Sequence, residues 1–163
     1  MFDDLMAGNQ RYVEGFQDSG LQGRAARRLA VFTCIDSRID PLAMLGLRRG
    51  DAKILRNAGA RVTHDVLRSL ALAVNLLDVE RICVVRHTDC AMTGRTDHEI
   101  AELIEQRVGV DASEWEFLTI TDPDQALRAD IRTITSCPLI PSSVVVGGFI
   151  LDVRTGKLIP ASP

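Results

Sequence analysis

The sequence predicts an α/β fold, a mostly parallel central β-sheet flanked by helices. Three observations carry that expectation. Short apolar, partly β-branched runs recur as "LAVFTCI" (29–35), "AKILRNA" (52–58) and "RICVVRHT" (81–88), the pattern of strands buried on both faces. Segments with apolar residues at helical spacing alternate with these runs, and such alternation places helices over the faces of a parallel sheet. Finally, "CIDSR" and "HTDC" put polar chemistry at the ends of two of the runs. The carboxyl ends of strands are where sheets of this kind gather ligands.

The elements follow in order. Phe2, Leu5, Met6, Tyr12, Val13 and Phe16 mark one helical face, interrupted by Asn9. With the loop containing Gly15, Gly20 and Gly23 it makes an N-terminal helical arm of about residues 1–28. After the first strand, Asp40 caps and Pro41 starts a short helix, "PLAMLGL", and "RRGD" turns the chain into the second strand. Thr63 caps the helix "HDVLRSLALAVNLL", with Asp65 in its first turn. Beyond the third strand, "DHEIAELIEQRVG" and "DPDQALRADIRTIT" read as helices with Trp115 between them. "SVVVGGFILDV" and "GKLIP" finish the chain as a strand and a short hairpin.

A chain of 163 residues is read as one domain, 1–163, able to bury a core without staples. Net charge is −3, which argues against nucleic-acid or anionic-membrane partners. The basic run "GRAARR" (Arg24, Arg27, Arg28) is taken as a solvated segment. No apolar stretch approaches the ~18–20 residues a membrane span needs, and the acidic, amphipathic start fits no signal or transit peptide. A cytoplasmic location is expected. There Cys34, Cys83, Cys90 and Cys137 are better read as ligands, nucleophiles or core residues than as disulfides.

His87 and Cys90 form an H-x-x-C pair at one strand end, and Cys34 closes another. Two thiolates and an imidazole suit zinc, and three protein ligands leave the fourth position open, the catalytic arrangement. Cys83 and Cys137 are assigned to the core. Asp36 lies two residues beyond Cys34, so in extended backbone both side chains leave the same face. Asp36 can therefore reach the fourth metal position. Arg38, next on that face, can hold the carboxylate away from the metal by a bidentate pair.

"GNQRYVEGF", "CIDSR", "RNAG" at 56–59, "HTDC" and "GGFILDVRTGKL" occur in one order along most of the chain. In these motifs it resembles the β-class carbonic anhydrases, in one of their shorter bacterial forms. The resemblance implies that family's fold and one Zn²⁺ per subunit on Cys34, His87 and Cys90. It implies an Asp36–Arg38 dyad that orients and gates the fourth position, Asp36 itself becoming a metal ligand when the site closes. The implied activity is that of a carbonate dehydratase, a zinc lyase. CO2 would be hydrated reversibly to bicarbonate by attack of zinc-bound hydroxide. Two residues depart from the pattern: Ala91, where many members carry Gly, and Arg86, where Gly or His is frequent.

A small apolar substrate pocket from Ala58, Gly59 and Val62 is expected if the family geometry holds, with plain packing the alternative for these residues. The resemblance also implies a homodimer or dimer of dimers, the first helix reaching over a partner. Tyr12 and Phe16 would then bury against that partner or within their own subunit. Asp89 is a candidate for orienting His87 or a backbone group. His64 and His98 are read as solvated or capping residues rather than proton shuttles. One competing reading is a carbonyl sulfide or carbon disulfide hydrolase on the same scaffold. Another is a non-catalytic zinc-binding protein, against which the complete Asp36–Arg38 pair speaks. Whether Asp36 rests on metal or on Arg38 stays open at this level.

Overall fold

The structure, a computed structural model, describes residues 1–17 and 20–161. Its strands are β1 (Leu29–Cys34), β2 (Ala52–Asn57), β3 (Arg81–His87), β4 (Val145–Leu151) and β5 (Leu158–Pro160). They form one sheet in the order β2-β1-β3-β4-β5. β1 to β4 are mutually parallel, and β5 returns antiparallel to β4. The α-helices are α1 (Asp3–Glu14), α2 (His64–Leu77), α3 (Asp97–Val108) and α4 (Pro123–Thr135). From β1 the chain moves outward to β2 and then crosses back to β3 on the other side of β1. Between β1 and β3 the winding thus reverses, and such a switch point opens a crevice at the carboxyl ends of the two strands. Cys34 ends β1 and His87 ends β3.

Strand alternation divides the interior into two cores. Ala30 and Phe32 of β1 and Ile82 and Val84 of β3 pack with Val66, Leu70 and Ala73 of α2 and Leu127 and Ile134 of α4. Val31, Cys83, Val85 and Leu151 supply the other core, which also holds Cys34, Ile39 and Cys90. Met44, Leu45 and Leu47, from the segment after β1, lie against this second core. Cys137 packs against the helical core, and burial pushes the Cys83 thiol up to about 11. All four cysteines are free thiols.

Local chemistry sets the helix ends. Thr63 accepts from the Val66 N–H at the start of α2, and Thr96 with Glu99 forms a capping box on α3. Asp122 caps α4 ahead of Pro123. The expected helix over 41–47 is only a 3-10 turn at Ala43–Leu45, because Gly46 takes φ 63° and ends it. The N-cap position of that turn is Leu42 rather than Asp40, whose carboxylate accepts from the Leu42 and Ala43 N–H groups at 3.0 Å. Arg24, Arg27 and Arg28 pair with Asp78, Asp51 and Glu80, exposed contacts that each contribute little.

Helix α1 buries no residue. Burial of Tyr12 and Phe16 within their own subunit does not occur: they stay 55% and 50% exposed. Arg49 tethers them, donating to Tyr12 Oη at 2.8 Å and lying 5.4 Å over the Phe16 ring. Among the described residues no helix is long and apolar enough to cross a membrane.

Candidate metal centre

Cys34, His87 and Cys90 converge at the switch point, all three buried, with their ligand atoms within 4.8 Å of one another. The two Sγ atoms are 4.0 Å apart; bonds of ~2.3 Å at a tetrahedral angle would place them about 3.8 Å apart. His87 Nδ1 faces the Thr88 carbonyl at 2.9 Å, which makes it the protonated nitrogen and leaves the Nε2 lone pair free. That Nε2 is buried without a hydrogen-bond partner. An orphaned buried acceptor beside two sulfurs is costly in a metal-free protein and is satisfied by a metal. The donor set fits zinc.

Asp36 stands beside this cluster but turned toward Arg38. Its Oδ2 lies 3.9 Å from His87 Nε2. Arg38 donates to it through Nη2 at 2.7 Å, Nε at 3.0 Å and the backbone N–H at 2.9 Å. These bonds hold the Asp36 carboxyl well below the usual carboxylate range. Asp89 is directed to the arginine rather than to His87: Arg38 Nη1 donates to its Oδ2 and Nη2 to its carbonyl, both at 2.8 Å. Arg38 is thereby gripped from two strand ends. Arg56, whose role the sequence did not reveal, donates to the carbonyls of Cys34, Asp36 and Ile39 at 2.8, 2.6 and 3.2 Å. It fixes the bend that lets the Cys34 and Asp36 side chains share a face. An arginine at the penultimate position of the second strand run is the available signal.

The two thiols are coupled through their sulfur–sulfur contact. The hydrogen bond from Cys90 draws the Cys34 thiol far down, against burial and with help from His87 and the Asp36 and Gly59 N–H groups. Cys90 moves the opposite way, raised by the Cys34 sulfur and by burial. For His87, burial lowers the pKa, but the neighbouring Cys34 sulfur, with lesser contributions from Thr88 and Asp36, leaves it raised. Zinc needs both thiolates and a neutral imidazole. Binding must therefore expel the Cys90 proton, and the His87 proton when present, so apparent zinc affinity rises with pH. Calorimetric titration of metal-free protein in buffers of different ionisation enthalpy should show about one or more protons released per zinc; an affinity independent of pH would contradict this.

Of the expected pocket residues, only Gly59 reaches the ligand cluster. Its N–H donates to Cys34 Sγ at 3.3 Å. Its φ is 68°, and a Cβ there would meet Met92 and Ile120 at 3.1 Å, so a side chain is excluded on both grounds. Ala58 is exposed and Val62 packs against the helical core, because the chain turns through positive φ at Gly59 and Ala60. Met92, Ile39, Val85 and Leu151 supply apolar surroundings instead. His64 is exposed at the start of α2, and His98 pairs with Glu102 at 3.3 Å.

Arg86, the departure beside His87, points away from the cluster. It donates to Asp130 of α4 at 2.5 Å and is 3% exposed. Burial lowers its pKa, and Asp130 opposes that shift.

The family model for carbonic anhydrase matches residues 29–112. The chain is 35% identical over 161 residues to β-carbonic anhydrase 1 of Mycobacterium tuberculosis, covering 99% of this chain and 98% of that one. The crystal structure of a carbonic anhydrase from Streptococcus mutans superposes with a TM-score of 0.94 at 40% identity, over 99% and 97% of the two chains. A carbon disulfide hydrolase from Acidianus is 32% identical over 156 residues, covering 81% of this chain and 76% of that one. Fold, strand-end cysteines and histidine, and whole-length similarity agree: the chain belongs to the β-class carbonic anhydrases.

Proposed function

We propose that the chain hydrates CO2 reversibly to bicarbonate in the cytoplasm, with zinc on Cys34, His87 and Cys90. The observation that carries this reading is the buried two-sulfur, one-nitrogen cluster with Asp36 drawn aside by Arg38. Zinc held there would supply Lewis acidity, lowering the pKa of a water so that it could attack carbon. Asp36, kept ionised by Arg38, serves as a hydrogen-bond acceptor that orients the attacking oxygen. The Gly59 N–H stabilises the Cys34 thiolate. Ile39, Val85, Met92 and Leu151 give apolar surroundings suited to a substrate without hydrogen-bond donors. If Arg38 let go, Asp36 would become the fourth ligand and close the site.

Stopped-flow CO2 hydration on protein of known zinc content tests this reading. Two thiolates cancel the metal's formal charge, so activity should rise with pH toward the alkaline side of the range between about 7 and 9. A flat profile, or stoichiometric zinc without hydration, would sink it. Faster turnover of carbonyl sulfide or carbon disulfide than of CO2 would reassign the substrate. We take the chain as a single domain whose α1 packs on a second copy, since Phe2, Leu5, Met6 and Val13 are all exposed on the protomer. Light scattering should give at least twice the 17.9 kDa chain mass.

A further inference from the structure

Behind the metal centre lies a buried charge cluster that the proposed chemistry does not use. One oxygen of Asp130, Oδ2, receives Arg86 Nη2 at 2.5 Å and Arg61 Nε at 3.0 Å. The side chains of Arg86 and Asp130 are 3% and 6% exposed, and that of Arg61 is 19% exposed. Two guanidiniums on one carboxylate leave a net positive charge, and Arg86 Nε is a buried donor with no partner. Such an arrangement is a poor way to gain stability, because apolar residues of equal volume often do as well or better. Its geometry suggests another use.

Each arginine leads to a different part of the ligand cluster. Arg86 precedes His87 on β3, so its side chain leaves the opposite face of the strand. Arg61 closes the turn after β2: its N–H donates to Asn57 Oδ1 at 3.0 Å, and its carbonyl accepts from Asn57 Nδ2 at 2.7 Å. Inside that turn is Gly59, whose N–H meets Cys34 Sγ. Arg61 Nη1 also donates to the Leu118 carbonyl at 3.0 Å, and Arg86 Nη1 to that of Pro123 at 3.3 Å, tying in the approach to α4. A single carboxylate oxygen thus joins the β2 turn, the end of β3 and α4.

We propose that Asp130, acting through Arg61 and Arg86, is a positioning residue that fixes the Gly59–Cys34 contact and His87 at their mutual spacing. The proposal rests on the zinc reading of the cluster. It assigns Arg86, the departure beside His87, to register rather than to the rim of the site.

The test compares the full-length parent with Arg86→Met, Asp130→Asn and Arg86→Lys. Zinc affinity is read by competition with a chelating dye, ligand geometry by the absorption bands of bound Co²⁺, and folding by Tm. Arg86→Met leaves Asp130 paired with Arg61, so a folded protein is expected even if Asp130→Asn fails to fold. Arg86→Met should lose about tenfold in zinc affinity, as when other groups that orient metal ligands are removed, and should shift the cobalt bands. Arg86→Lys, which retains one donor to Asp130, should recover part of both. Parental affinity and an unchanged cobalt spectrum in Arg86→Met would overturn the proposal, whatever happens to Tm. None of these readings uses turnover, so the comparison is decided even if CO2 hydration is absent.

Discussion

His87→Ala should bind zinc at least a hundredfold more weakly than the parent and should show no CO2 hydration above background at any pH. Two cysteine sulfurs would remain, and a zinc site with two protein ligands gives up a large share of a binding energy of roughly 10–16 kcal/mol. The fold should survive. The lost ring removes a buried Nε2 that has no partner in the metal-free chain, which offsets part of the cost of the cavity. Atomic absorption on dialysed protein, with circular dichroism alongside, checks both halves. Full zinc content in the variant would place the metal elsewhere.

Arg38→Ala should keep its zinc and lose about a hundredfold in kcat/KM, some 2.7 kcal/mol of transition-state stabilisation. Asp36 is held by three bonds from Arg38, two of them from the guanidinium. Without these two its carboxyl would move back toward the ordinary range. The freed carboxylate already has an oxygen 3.9 Å from His87 Nε2, close enough to occupy the remaining ligand position by side-chain rotation. The loss should concern kcat more than KM, because the freed carboxylate competes for the position the attacking water needs. Arg38→Lys should be intermediate: an ammonium keeps the charge but cannot reproduce the fork. Asp36→Asn provides the contrast, removing the orienting carboxylate while leaving a poorer ligand to close the site. Retained turnover in Arg38→Ala would remove the dyad from the mechanism.

The fold is largely legible because parallel strands buried on both faces leave short unbroken apolar runs, as at 29–32 in β1 and 82–85 in β3. The first strand ends one residue before its apolar run does. Ile35 lies beyond the strand and is 60% exposed, since the bend held by Arg56 begins there. The segment after Pro41 was misjudged for a similar reason: its apolar residues turn around Gly46 and cover the sheet as loop. Spacing together with the family resemblance singles out Cys34, His87, Cys90, Asp36 and Arg38, which all lie at or just beyond strand ends, and the structure brings them together. The contacts of Arg56, Gly59, Asp89 and Asp130 were not legible. They reach across register and between elements, and local spacing carries no record of which strand becomes whose neighbour. Val62 takes the packing alternative, turned to the helical core after positive φ at Gly59 and Ala60.

The split origin of the ligands has a consequence for how the chain folds. His87 and Cys90 are close in sequence, but Cys34 joins them only after β1 has paired with β3, with all of β2 and α2 intervening. Parallel pairing of this kind closes a long loop before any contact rewards it, and is intrinsically slow. A denatured chain can therefore offer zinc only local ligands such as Cys83, His87 and Cys90, without Cys34. The ion should discriminate strongly for the finished sheet, stabilising it by mass action as free zinc rises above the dissociation constant. Unfolding should then be slowed wherever the β1–β3 seam is the last contact to open, making the metal a lock on the centre of the sheet as well as a reagent.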